Sequence, residues 1–178
     1  MQMNSPTGKR ILALVRDGDF AHPGEQAAVD LLMAGRVPSQ SEVLLDVGCG
    51  RGGTLDSLRR AGWSRCVGLD VDAETIDEAR LRYPDCRFLA GSVDQLPTLL
   101  SEPVDLICLW TSFYAFADQS SALRRMRAVA KPSAELRMMD YAVWHGGRGT
   151  LPKRETNTSW KPLQPTTFAE LAAAAGWE

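Results

Sequence analysis

Val43-Leu-Leu-Asp-Val-Gly-Cys-Gly-Arg-Gly-Gly53 runs from an apolar strand directly into a glycine-rich turn, and a helical pattern begins where it ends. Four glycines fall among the six residues 48–53, which costs more chain entropy than a plain turn requires. Glycines at such a place let backbone amides approach a ligand, and the start of the following helix offers unpaired N–H groups. Gly48-x-Gly50-x-x-Gly53 satisfies the dinucleotide fingerprint, yet Asp46 sits two residues before the first glycine. A carboxylate there would repel a diphosphate and welcome a cation, so a nicotinamide-dependent oxidoreductase stays as a disfavoured alternative.

Outward from this turn, short runs rich in Val, Leu and Ile alternate with segments of helical period, the pattern of βαβ units around a parallel sheet. Five strands are expected, at 43–47, 65–70, 86–90, 104–110 and 134–140, nearly continuous in apolar residues as strands covered on both faces require. Crossover helices are expected at 53–61, with Gly62 as its cap, and at 73–82, stopped by Pro84. A short irregular one follows around 95–100. The fourth is capped by Asp118, carries Ala122, Leu123, Met126 and Val129 at helical spacing and ends at Lys131-Pro132. Its Arg124, Arg125 and Arg127 fall largely off the apolar stripe and read as a solvated face. Residues 23–34 form a helix before the first strand. Thr167-Phe-Ala-Glu170 reads as a capping box opening a last helix that Gly176 closes. Residues 145–164 show no period, contain Gly146, Gly147, Gly149, Pro152 and Pro162, and read as a basic loop or lid.

The 178 residues, 44% apolar and 24% charged, make one domain over 1–178, with 1–22 as an N-terminal arm. Twenty basic against 22 acidic side chains give a net charge of −2, so no global field draws the chain to nucleic acid or an anionic membrane. No apolar run approaches the roughly 20 residues that span a bilayer, and the polar start is not a secretory signal, which together read as cytoplasmic. Cys49, Cys66, Cys86 and Cys108 form no Cys-x-x-Cys pair and have only His22 and His145 to join them, so buried reduced thiols are expected rather than a metal site.

Asp46, Gly48, Gly50 and Gly52 match, position for position, the Asp-x-Gly-x-Gly-x-Gly signature of the class I S-adenosylmethionine-dependent methyltransferases, which the chain resembles. The resemblance implies S-adenosylmethionine as cofactor, S-adenosylhomocysteine as product and a small-molecule acceptor. It puts Asp46, Gly48, Cys49, Gly50 and Gly52 beside the cofactor's methionine end, and Asp70, at the close of Gly68-Leu-Asp70, on the ribose hydroxyls with Val71 next to it. A carboxylate suits a vicinal diol, in this cofactor or in a nicotinamide ribose. Gly91-Ser-Val-Asp-Gln-Leu-Pro97 resembles the family's adenine loop, with Ser92 in the usual acidic place, Val93 after it and Asp94 as a substitute. Trp110, Phe113, Tyr114 and Phe116 fill the loop after the fourth strand, where aromatic faces suit a sulfonium cation or an apolar acceptor and equally make ordinary core. Upstream, His22 or Gly24 lies where relatives have a cofactor-covering segment, and a plain Pro-Gly-Glu helix start fits the same residues.

The fold expected is a Rossmann-like doubly wound α/β sheet of five parallel strands in order 3-2-1-4-5, with ligand where the order reverses. The family's last two strands are absent, so the fifth strand presents an edge for the 146–162 loop, a second copy or a partner chain. Tyr114 and His145 both follow strand carboxyl ends and are the candidates to face the acceptor, His145 as a base. A non-catalytic cofactor-binding module or truncated partner subunit is the competing class.

Overall fold

The computed structural model describes residues 5–16, 18–143 and 161–178. Its centre is a five-stranded sheet in the order β3-β2-β1-β4-β5, every pairing parallel. The strands are β1 (Val43–Val47), β2 (Arg65–Asp70), β3 (Arg87–Ala90), β4 (Val104–Trp110) and β5 (Ala130–Met139). The helices are α1 (Pro6–Val15), α2 (Glu25–Leu32), α3 (Gly53–Arg60), α4 (Ala73–Arg82), α5 (Leu96–Leu99), α6 (Gln119–Val129) and α7 (Pro165–Ala174).

Strand alternation sorts the core into two layers. Val43, Leu45 and Val47 of β1 face Leu96 of α5, Leu123 and Met126 of α6, and Phe168 and Leu171 of α7. Leu44 faces the other way, among Val29 of α2, Leu55 and Leu58 of α3, and Ile76 and Ala79 of α4. Both faces are therefore covered, the condition under which all-parallel strands are stable. Asp118 caps α6 as expected, its carboxylate accepting the Ser121 N–H at 2.8 Å, and Asp72 caps α4 by accepting that of Thr75 at 3.2 Å. The four cysteines are buried and free. Among the described residues no helix is long and apolar enough to cross a membrane.

Besides shifts of one or two residues at the ends of α2, α3 and β3, three differences from the sequence reading matter. β5 begins at Ala130 rather than 134, so α6 passes into it without a loop and Pro132 lies inside a strand. Proline lacks the N–H of a ladder and is tolerated on an edge strand, which β5 is. The pairing slips to accommodate this, Val104 opposing Ala130 and Leu106 opposing Glu135. α7 begins at Pro165, with the proline in its first turn, so Thr167 lies inside the helix and is not its cap. The third is α1, inside the expected N-terminal arm, where Ser5 accepts the Gly8 N–H at 3.2 Å and Pro6 presets the first turn. The loop expected over the β5 edge lies mostly outside the described residues, as does His145.

Candidate functional site

A cavity of about 450 Å3 opens at the carboxyl ends of β1, β2 and β4, where strand order reverses between β1 and β4. Its floor is the glycine turn. The N–H groups of Gly48 and Cys49 both donate to the Leu69 carbonyl, at 2.7 and 3.0 Å, and that of Gly50 donates to Asp70 Oδ2 at 2.9 Å. Three amides of the turn are thus already used inside the protein and are not offered to a phosphate. Gly48, at φ +86°, also lets Ser112 approach, for a Cβ there would lie 2.4 Å from the serine Cβ; the Ser112 hydroxyl donates to the Val47 carbonyl at 2.6 Å. Gly53 serves a different purpose: a Cβ would meet the Asp19 backbone at 2.6 Å, so this glycine makes room for the chain crossing above it.

Asp70 ends β2 at the cavity wall, only 7% exposed. Beyond the Gly50 amide it accepts the Asp72 N–H at 3.0 Å and the Lys9 ammonium at 2.8 Å, both on Oδ1. Lys9 belongs to α1, which lays Lys9, Leu12 and Arg16 over the cavity as a roof, the i, i+3, i+7 spacing of one helix face. The roof is tied down by Lys9 to Asp70 and Asp72 and by Arg10 to Glu74 and Glu78 of α4. These roof residues escaped the sequence reading, although Ser5-Pro6 is a helix-start signal and the 9, 12, 16 spacing was present.

Of the residues expected at the cofactor, Gly48, Gly50, Asp70, Val71, Val93 and Trp110 line the cavity, as does Tyr114. Val71 stands 73% exposed at the rim, an apolar surface open to a flat ring. His22, Asp46, Cys49, Gly52 and Ser92 lie outside the lining, each for a physical reason. His22 is buried; its Nε2 lies 3.0 Å from the Thr54 hydroxyl, and its ring stacks on Trp110 at 5.9 Å. It is a latch between the N-terminal segment and α3, and burial holds its pKa below the ordinary imidazole value. Asp46 is on the α3 side of β1, 2% exposed, with Oδ1 lacking any hydrogen-bond partner, and burial together with the Asp70 charge pushes its pKa up to about 8. Cys49 is buried against Gly68. Gly52, at φ +85°, closes the turn beneath Phe88. Ser92 donates its N–H to the Gln95 side chain at 2.8 Å. Asp94, the substitute considered for adenine, turns instead toward Ser121 and Arg125 of α6.

The far wall comes from the segment after β4. Thr111 has φ +52°, an outlier for a β-branched residue, and lines the cavity. Asp140, just past β5, accepts the Phe113 N–H at 2.7 Å and the Tyr114 N–H at 3.2 Å, which fixes this aromatic segment. Tyr114 meets Tyr141 edge to face at 5.2 Å, and burial raises its phenol pKa. Phe113, considered for the site, is fully buried core instead.

The mRNA cap guanine-N(7) methyltransferase of Saccharomyces cerevisiae is 34% identical over 123 residues, covering 58% of this chain and 28% of that protein. Trans-aconitate 2-methyltransferase of Enterobacter sp. is 33% identical over 89 residues, covering 49% and 34%. The chain thus spans about a third or less of these relatives' length. Among solved structures, phosphoethanolamine N-methyltransferase 2 of Haemonchus contortus in complex with S-adenosyl-L-methionine superposes with a TM-score of 0.81 at 17% identity, over 97% of this chain and 41% of that one. At that identity the likeness is one of fold. The methyltransferase domain family profile matches residues 44–133, half of the chain and all of the sheet from β1 into β5, and the protein belongs to this family.

Proposed function

We propose that the cavity binds S-adenosylmethionine and that the chain transfers its methyl group to a small-molecule acceptor. The observation that carries this is the pairing of Asp70 with a glycine turn whose Gly48, Cys49 and Gly50 amides are spent internally: the floor is an acceptor of hydroxyl donors, better suited to a ribose and a cation than to a diphosphate. That arrangement also disfavours the oxidoreductase alternative. The net charge of −2 supplies no field to hold a long RNA, which favours a small acceptor.

When bound, the cofactor supplies a methyl group already activated on positively charged sulfur. The chain's work is then to orient and exclude water, which can account for roughly 7–11 kcal/mol of a barrier. Asp70 would accept ribose hydroxyls, Val71 and Val93 would flank the adenine, and the α1 roof would shut out solvent. Tyr114 and His145 stay as candidates to face the acceptor; an amine acceptor needs neither as a base.

Asp70→Ala should lower S-adenosylhomocysteine affinity about 10- to 100-fold by calorimetry, the worth of hydrogen bonds to a buried charge. Unchanged binding in a folded variant would remove Asp70 from the cofactor site. Lys9 should act with the opposite sign, because its ammonium holds the Oδ1 that a ribose hydroxyl needs. Lys9→Met is expected to tighten S-adenosylhomocysteine binding about three- to tenfold, by raising the fraction of molecules whose Asp70 is free. Weaker binding would show that Lys9 helps hold the ligand.

A further inference from the structure

β5 ends the sheet, and among the described residues no strand pairs with its outer edge over residues 134–139. Its register on β4 runs unbroken from Glu135 opposite Leu106 to Met139 opposite Trp110, and the Met139 carbonyl accepts the Thr111 N–H at 2.7 Å. A strand residue sends its N–H and C=O to one side and its neighbours send theirs to the other, so Glu135 and Arg137 bond to β4 as Met139 does. Ala134, Leu136 and Met138 therefore present their amides and carbonyls outward, a template for another strand. Beside that edge lies a groove of about 900 Å3, lined by Leu136 and Met138 of β5 and by Phe168, Ala169, Ala172 and Ala173 of α7.

We propose that the occupant of this edge is a second copy of the chain, its β5 antiparallel to the first about a two-fold axis between their Leu136 residues. That relation sets Leu136 opposite itself and Ala134 opposite Met138, all of them outward-facing, so each opposed pair exchanges both of its N–H···O bonds. Charge selects this register among its neighbours. It brings Glu135 of one copy against Arg137 of the other, on the face where Arg137 bonds to the Leu32 carbonyl of α2. Moving the axis to Glu135 would oppose two carboxylates, and moving it to Arg137 would oppose two guanidiniums, and like charges directly across a strand pair destabilise it. Glu135 has room for the new partner: Arg36 and Arg137 of its own chain hold it at 2.7 and 2.9 Å, yet its side chain stays 42% exposed. Pro132, with no N–H to continue the ladder, bounds it on one side. Because the paired strands run in opposite directions, the two cavities at the strand carboxyl ends open in opposite directions. The inference does not depend on what those cavities bind.

Light scattering over a wide range of concentration should show the chain as a dimer. Hydrogen exchange should find the Leu136 and Met138 amides protected only where the dimer forms, with those of Glu135 and Arg137 protected throughout. Glu135→Arg and Arg137→Glu each oppose like charges within their own homodimer, so each should self-associate about 10- to 100-fold more weakly than the parent. An equimolar mixture of the two variants restores opposite charges at every opposed position and should dimerise within about threefold of the parent. Single variants that dimerise as the parent does, or a mixture no better than either, would overturn the proposal. Ala134→Pro decides the matter if a charge variant fails to fold, because it removes an N–H that the chain's own ladder does not use and should weaken the dimer about 10- to 100-fold. A dimer indifferent to Ala134→Pro overturns the proposal. So does a parent that is monomeric at every concentration, whether its outer amides exchange fast on a bare edge or slowly under cover of the chain's own residues.

Discussion

Replacing Asp19 with alanine should remove about 3 kcal/mol of folding stability, the lower end of the 3–5 kcal/mol typical when one member of a buried ion pair is deleted. The Asp19 carboxylate is almost wholly buried and accepts from Arg51 Nε at 2.7 Å, from Tyr83 Oη at 2.8 Å and from Arg82. Burial alone would raise its pKa, but these three donors outweigh it and hold the carboxyl below its ordinary value. The lower figure applies because Arg82 is half exposed and can return to water, whereas Arg51 cannot. For a chain of this size the loss corresponds to a Tm lower by roughly 6–12 °C. The carboxylate's contribution is present above its unfolded pKa near 3.8 and is lost as pH falls through the lower folded value. The parent should therefore lose its advantage over Asp19→Ala under strong acid. A Tm difference below about 2 °C at neutral pH would mean the network contributes little. Asp19 also fixes the crossing over Gly53 that brings Ala21 to the cavity, so cofactor affinity should fall in the same variant well below its Tm.

Asp46 is expected to act in the other direction. Its folded pKa of about 8 lies far above the unfolded 3.8, so between these values the folded state holds a proton that the unfolded state does not, and stability falls as pH rises. His22 works oppositely: its folded pKa is depressed, so stability rises with pH until the unfolded value of 6.5 is passed. The Asp46 effect is therefore cleanest between pH 6.5 and 8, where it amounts to up to about 2 kcal/mol, or roughly 4–8 °C in Tm. Asp46→Asn, which carries no charge to bury, should show a flat profile in this window and melt higher than the parent at pH 8. Parallel profiles for the two proteins would show that Asp46 does not titrate there.

β1, β2 and β4 are buried on both faces and coincide with their apolar runs, which made them legible, whereas the edge strands β3 and β5 are only partly covered and their starts were misplaced. Beyond the sheet, legibility depended on whether a residue's role was local. Asp118 caps the helix that follows it, a relation contained in four residues. Asp70 was legible as a cavity residue because in an open parallel sheet the cavity opens at the strand ends. Asp46 and His22 were placed near the ligand by their neighbours in sequence, but strand alternation turns Asp46 to the far face and the Thr54 bond draws His22 beneath the turn. Lys9 lacked any local signal of its role, since the Asp70 it reaches is more than sixty residues away.

That distance sets the order in which the molecule is built and the ease with which it opens. α1 is synthesised before its anchors, Asp70, Glu74 and Glu78, which follow 61 to 68 residues later, so it must wait undocked until β2 and α4 exist. It shares no ladder with the sheet, and among the residues of the helix whose burial is described only Gly8 is buried. The exposed Arg10 pairs hold it only weakly. α1 can thus unfold as a unit of its own while β1 to β5 stay closed, and its amides should exchange with solvent far faster than those of β4. Local opening of these ten residues, at the cost of the Lys9–Asp70 pair, would uncover the cavity without any rearrangement of the sheet.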